Sequence, residues 1–207
     1  MIPAGCKIYL ASRSPRRREL LRQIGVAFEM LLLRERPGRA PDVDEAVQSG
    51  ETPDDYVRRV CRAKAQTGWS RVLERQLRRY PVLAADTTVC LDGVILGKPD
   101  DAAAAVRMLS ALSGREHRVL TAVALQLEQR AEMVVSESRV RLQTLSEAQI
   151  AAYVGSGEPM DKAGAYAIQG RAAAFIPELH GSYTGVMGLP LHETARLIER
   201  FAPATPA

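Results

Sequence analysis

A chain of 207 residues with 46% hydrophobic side chains can bury one substantial core and is too apolar for a disordered polymer. No apolar run approaches the roughly 20 residues of a bilayer span, and residues 1–7 lack the long apolar stretch of a secretory leader, so a cytoplasmic protein without a membrane partner is expected. Cys6, Cys61 and Cys90 are odd in number and far apart, which points to reduced thiols rather than disulfides or a zinc knuckle, and the net charge of +4 is diffuse except where Arg13, Arg16, Arg17 and Arg18 crowd together.

Residues 7–11 read as a short buried strand. Ser14 followed by Pro15 is a helix start: a capping hydroxyl, then a proline where no amide donor is needed. Leu20, Leu21 and Ile24 give that helix its apolar side, and Gly25 with Val26 fits a glycine C-cap and its hydrophobic contact. Residues 52–55, Thr-Pro-Asp-Asp, repeat the start signal for a second helix through Tyr56, Val57, Val60 and Ala63, running towards Arg79. Residues 82–85 form a compact apolar run that ends at Asp86, as a buried strand delivering a polar group at its end would.

Pro99 and Asp100 open a third helix through Val106, Met108, Leu109 and Leu112, closed by Gly114. Residues 119–127 alternate as a strand, and 133–142 supply an antiparallel partner after a turn at 128–131. Residues 144–147 read as a capping box for a short helix through Ile150 and Tyr153; residues 191–201 form the last helix, and the chain from 203 reads as a frayed tail. Early alternation of strands and helices followed by a long hairpin predicts a mixed sheet in a single α/β domain of two lobes about a cleft, spanning 1–207 with its ordered part at about 7–201.

Four stretches can carry chemistry. In residues 12–17, Ser-Arg-Ser-Pro-Arg-Arg, free amides, the positive end of a helix and planar guanidinium groups converge as a phosphate site requires, although an arginine cluster also suits a solvated face or a nucleic-acid patch. Asp86, before Thr87, is a partly desolvated acid on a rigid element, fit for metal binding or water activation; taken alone, an aspartate after a strand is more often a cap or a turn residue. Gly97-Lys98-Pro99 is not a phosphate loop, since Pro99 stands where a hydroxyl must reach magnesium; Lys98, at a helix start, and Lys64 are each a point charge for phosphate or a solvated lysine. Residues 157–170 interleave Glu158, Asp161, Lys162 and Gln169 with glycines, a composition suited to binding. The Gln169 amide matches the O4 and N3–H edge of uracil or thymine, and its flipped form matches cytosine. His117, His180 and His192 show neither zinc nor triad spacing and read as structural, while Trp69 and Met108 read as packing.

Residues 10–17, Asp44-Glu45, Lys64-Ala65, residues 85–87, Gly97-Lys98-Pro99, residues 161–166, Gln169-Gly170, Gly181-Ser182-Tyr183 and Gly188-Leu189-Pro190 form an ordered set that resembles the Maf-like nucleotide pyrophosphatases from Ile8 to about Phe201. Thr87 after the acid and Gln169 after the Ala-Tyr-Ala-Ile run resemble the branch that hydrolyses dTTP and UTP to the monophosphate and pyrophosphate, with modified pyrimidine triphosphates as further candidates.

The resemblance implies the Maf/ITPase-like arrangement of two lobes around a long mixed sheet. It implies Asp86 as proton acceptor for water; Arg16, Thr87 and Gln169 as the residues of substrate choice; Ser12, Arg17, Lys64 and Lys98 at the phosphates; and a divalent cation, magnesium or manganese, on Asp86 and Glu45. Arg13, where a small residue is common, and Ala46, where a hydroxyl commonly follows Asp-Glu, depart from the pattern. Many members are dimers, which leaves a homodimer open. Stable nucleic-acid binding is not expected; the alternative function is a regulator of cell division or septum formation that binds nucleotide or nucleic acid without catalysis.

Overall fold

The computed structural model describes residues 6–34 and 41–201, so the tail read from residue 203 lies outside the described residues. Strand β1 (Lys7–Leu10) runs into helix α1 (Pro15–Gln23), whose cap is Ser14: its Oγ accepts from the Arg17 amide. Gly25, at φ 71°, closes α1 as expected, with Gly25 N–H on Arg22 O and Val26 N–H on Leu21 O. The next strand, β2 (Ala27–Met30), follows within two residues of that cap and lies parallel to β1; the sequence reading missed it because Ala27, Glu29 and Met30 are exposed and show no buried period. Helix α2 (Pro53–Glu74) is capped by Thr52 and stops five residues short of the expected Arg79, where Gln76 takes a positive φ of 52°.

Strand β3 (Val82–Leu91) is twice the expected length, so Asp86 stands in mid-strand rather than at a strand end. A tight turn at Asp92 and Gly93 leads to β4 (Val94–Leu96), which pairs antiparallel with the end of β3. Helix α3 (Ala102–Leu112) begins later than expected, capped by Asp101, so Lys98 precedes the helix by a short loop instead of sitting at its start. The long hairpin of β5 (Glu116–Leu127) and β6 (Arg130–Arg141) is present with a two-residue turn. Helix α4 (Glu147–Gly155) has a capping box made by Ser146 and Gln149 rather than by Thr144 and Glu147. Three 3-10 turns, strand β7 (Glu178–His180), helix α5 (Tyr183–Met187) and helix α6 (Leu191–Phe201) complete the described chain.

The seven strands form one mixed sheet in the order β2-β1-β3-β5-β6-β7, with β4 beside β3. One face packs under α2 through Val57, Cys61, Trp69 and Val72; the other packs under α1 and α6 through Leu20, Leu21, Leu197 and Ile198. A third cluster under α3 and α4, with Leu109, Leu112, Ile150 and Tyr153, fills the second lobe. Trp69 and Met108 belong to this packing, as expected.

One feature of the ladder creates the cleft. On one edge β3 is paired with β5 from Val82 to Cys90. On the other edge β1 pairs at Val82 and Leu83, β4 pairs at Val89–Leu91, and the stretch between has no strand partner among the described residues. Asp86 and Thr87 occupy that gap, facing opposite sides of the sheet.

Candidate active site

The gap opens into a cleft of about 520 Å³ between the lobes. Ser12, Arg16, Arg17, Glu45, Lys64, Asp86, Thr87, Lys98 and Gln169, every site residue expected from sequence, line this one cavity. Six cationic side chains (Arg13, Arg16, Arg17, Lys64, Lys98, Lys162) face three carboxylates (Glu45, Asp86, Asp161), so the cleft favours a polyanion.

Lys64 reaches from α2, one turn before Gly68, where an added Cβ would lie 2.7 Å from Val82 Cγ1; the helix therefore rides close on β3. Its ammonium sits between two acids, 2.7 Å from Asp86 Oδ1 and 2.8 Å from Glu45 Oε1. Burial opposes the Lys64 charge, yet the two carboxylates together carry its pKa above the ordinary value. Burial dominates at Asp86, raising its pKa although Lys64 pulls the other way. Glu45 is half-exposed, and Lys64 holds it below its usual range against its desolvation. Its loop is tied down by Arg59, whose guanidinium donates to Asp44 O at 3.0 Å and to Ala46 O at 2.8 Å while pairing with Glu51.

Arg17 is aimed by neutral acceptors. Its guanidinium donates to Gly188 O at 2.7 Å, Ser12 Oγ at 3.2 Å and Thr87 Oγ1 at 3.3 Å, and burial lowers its pKa. Thr87 is in turn 3.0 Å from Thr121 Oγ1, which donates to Gly185 O at 2.8 Å. Arg13 donates to Leu33 O at 2.9 Å, and Arg16 lies 3.9 Å from Asp161. Arg18 does not line the cleft; it is partly buried rather than on the surface, with its Nε unpartnered. The exposed Gln169 amide makes no hydrogen bond to any described residue and stands free to meet a ligand. His117 is buried against the Tyr166 hydroxyl at 2.8 Å, while His180 and His192 are exposed.

No group of three or more His, Cys, Asp or Glu side chains with metal-binding geometry exists among the described residues. Asp86 and Glu45, on either side of the Lys64 ammonium, offer two carboxylates to the cleft, a donor set that suits a hard divalent cation completing its shell with phosphate oxygens and water. Gly188 stood in the motif set, but the sequence reading missed its hold on Arg17 and that of Thr121 on Thr87. Thr121 carried a signal, a hydroxyl at a buried position of an apolar strand, whereas the carbonyl of Gly188 carried none.

The profile of the Maf-like protein family matches residues 7–201. A dTTP/UTP pyrophosphatase of Nitrosomonas europaea is 56% identical over 197 residues, 95% of each chain. One of Aromatoleum aromaticum is 57% identical over 203 residues, 97% of this chain and 98% of that one. Among solved structures, the Staphylococcus aureus Ham1 protein aligns with a TM-score of 0.42 at 15% identity, covering 66% of this chain and 71% of that one. With its profile matched from strand β1 to the end of α6 and its relatives alike over almost their whole length, the chain belongs to the family of Maf-like proteins.

Proposed function

We propose that this chain is a nucleoside triphosphate pyrophosphatase, acting in the cytoplasm, that hydrolyses dTTP and UTP to the nucleoside monophosphate and pyrophosphate. The observation that carries the reading is a desolvated carboxylate, Asp86, in a cleft where cationic groups outnumber acids, in a chain more than half identical to proteins named dTTP/UTP pyrophosphatase.

In this reading Lys98, Arg17 and Lys64 bind the triphosphate, and Arg17 is kept in register by Ser12, Thr87 and Gly188. Asp86 accepts a proton from a water that attacks the α-phosphorus; the bond from that phosphorus to the bridging oxygen breaks, and pyrophosphate leaves with the bond's electrons. Burial raises the Asp86 pKa, which makes its carboxylate a better proton acceptor. Asp86 and Glu45 would hold a divalent cation, which when bound neutralises phosphate charge and polarises the reacting phosphorus. Arg16, Thr87 and Gln169 select the base and sugar, with the Gln169 amide meeting the O4 and N3–H edge of a uracil or thymine. A binding-only regulator would need no desolvated acid beside its cations.

The test is pyrophosphate release from each common nucleoside triphosphate, with and without magnesium, for wild type and Asp86→Asn. Release from dTTP and UTP above the purine triphosphates, reduced about a hundredfold or more in the variant, is expected. Equal turnover by Asp86→Asn would remove Asp86 from the mechanism.

A further inference from the structure

Gln169 rides on residues 167–171, a stretch that belongs to no strand or α-helix. Two side chains from outside hold its ends. Tyr153, in α4, accepts at its hydroxyl from the Ala167 amide at 3.2 Å and donates to Glu158 Oε1 at 2.8 Å. The second oxygen of Glu158 accepts from the Arg171 amide at 3.1 Å. One phenol and one carboxylate thus bracket Gln169 from two residues before to two residues after. The carboxylate also lies against Gly170: a Cβ there would come within 2.4–2.6 Å of its atoms. Tyr153 is 4% exposed, its ring edge-on to Phe175 at 5.7 Å, and burial followed by the Glu158 contact keeps the phenol protonated as a donor. Neither Tyr153 nor Glu158 lines the cleft.

We propose that Tyr153 and Glu158 are the positioning pair that sets base selectivity, holding Gln169 at a fixed reach without touching substrate. The inference rests on the pyrimidine triphosphate reading above. A primary amide satisfies uracil in one orientation and cytosine in the other, so its discrimination depends on how firmly its placement is fixed. Among the described residues Gln169 has no side-chain partner, so its placement is fixed through its backbone, which these two residues clamp.

The experiment measures kcat and KM for UTP and CTP in wild type, Tyr153→Phe, Glu158→Gln, Gly170→Ala and Gln169→Ala, together with amide hydrogen exchange at Ala167 and Arg171 in the free protein. Tyr153→Phe keeps the ring and loses the hydroxyl. Gly170→Ala adds a methyl that needs only swing the Glu158 carboxylate aside, and it carries the test should Tyr153→Phe not fold. Each of these two is expected to reduce the UTP-over-CTP preference about five- to tenfold, through KM, with kcat for UTP within about twofold of wild type. Glu158→Gln, which keeps one acceptor, should lose less. Combining Tyr153→Phe with Gln169→Ala should cost no more preference than Gln169→Ala alone.

Unchanged preference in the variants, or losses that multiply in the double variant, overturns the positioning role, as does a lowered melting temperature with preference intact. Wild-type protein that releases no pyrophosphate from UTP or dTTP sinks the enzyme reading and the base-selecting role with it. Exchange then judges the clamp alone: slow amides that open in the variants support it, and fast amides in wild type refute it.

Discussion

The buried titratable groups of this protein have opposite tasks. Asp86 and Lys64 are paired inside the cleft, while His117, against the Tyr166 hydroxyl under the second lobe, is kept neutral. Burial drives the His117 pKa from 6.5 down to about 4. The folded state therefore favours the neutral imidazole, and the unfolded chain binds the extra proton between those values. The stability His117 contributes is fully present above about pH 6.5 and is lost as pH falls towards 4, on the order of 3 kcal/mol at most. Urea unfolding at about pH 7.5 and about pH 4.5 should show a smaller acid loss in His117→Phe than in wild type; equal losses would exonerate this residue. Arg17, Asp86 and Gln169 each stand in a local pattern that suggested a site, whereas Lys64, as readily a solvated lysine, was placed there by the family resemblance. The sequence disclosed little of what holds them, since Gly188 acts through a carbonyl and Tyr153 through a hydroxyl contact set by the fold.

Helices and strands set the distances that those groups need. Lys64 meets Asp86 because α2 lies close on β3, and the closeness depends on Gly68. Gly68→Ala places a methyl 2.7 Å from Val82 Cγ1 in a packed interior, so α2 must shift outward. A stability loss of about 1–3 kcal/mol in urea titrations and a fall in turnover are expected; the exposed Ser70→Ala on the same helix is the control, within about 0.5 kcal/mol of wild type. Most long elements were legible from the sequence, but boundaries were not. Asp86 looked like a strand end because charge rarely sits in mid-strand; the gap between β1 and β4 and the Lys64 ammonium accommodate it there. Strand β2 went unseen since it is an edge strand, exposed at three of its four residues, and carries no apolar alternation of its own.

Across the molecule, the excess of cationic groups in the cleft extends beyond any one contact. Attraction at that range is screened by salt, so KM for UTP should rise several-fold from about 50 to about 300 mM KCl while kcat changes little. A flat KM would mean that short-range contacts alone carry binding. The strand that bears the acid also contributes to every interior: Val82 and Ala84 to the layer under α2, Leu83 and Ala85 to that under α1 and α6, Val89 and Leu91 to that under α3 and α4. Such a shared strand gives the protein no quiet half. Heat cannot melt one lobe and spare the catalyst, so on warming, loss of turnover and loss of structure should trace a single curve.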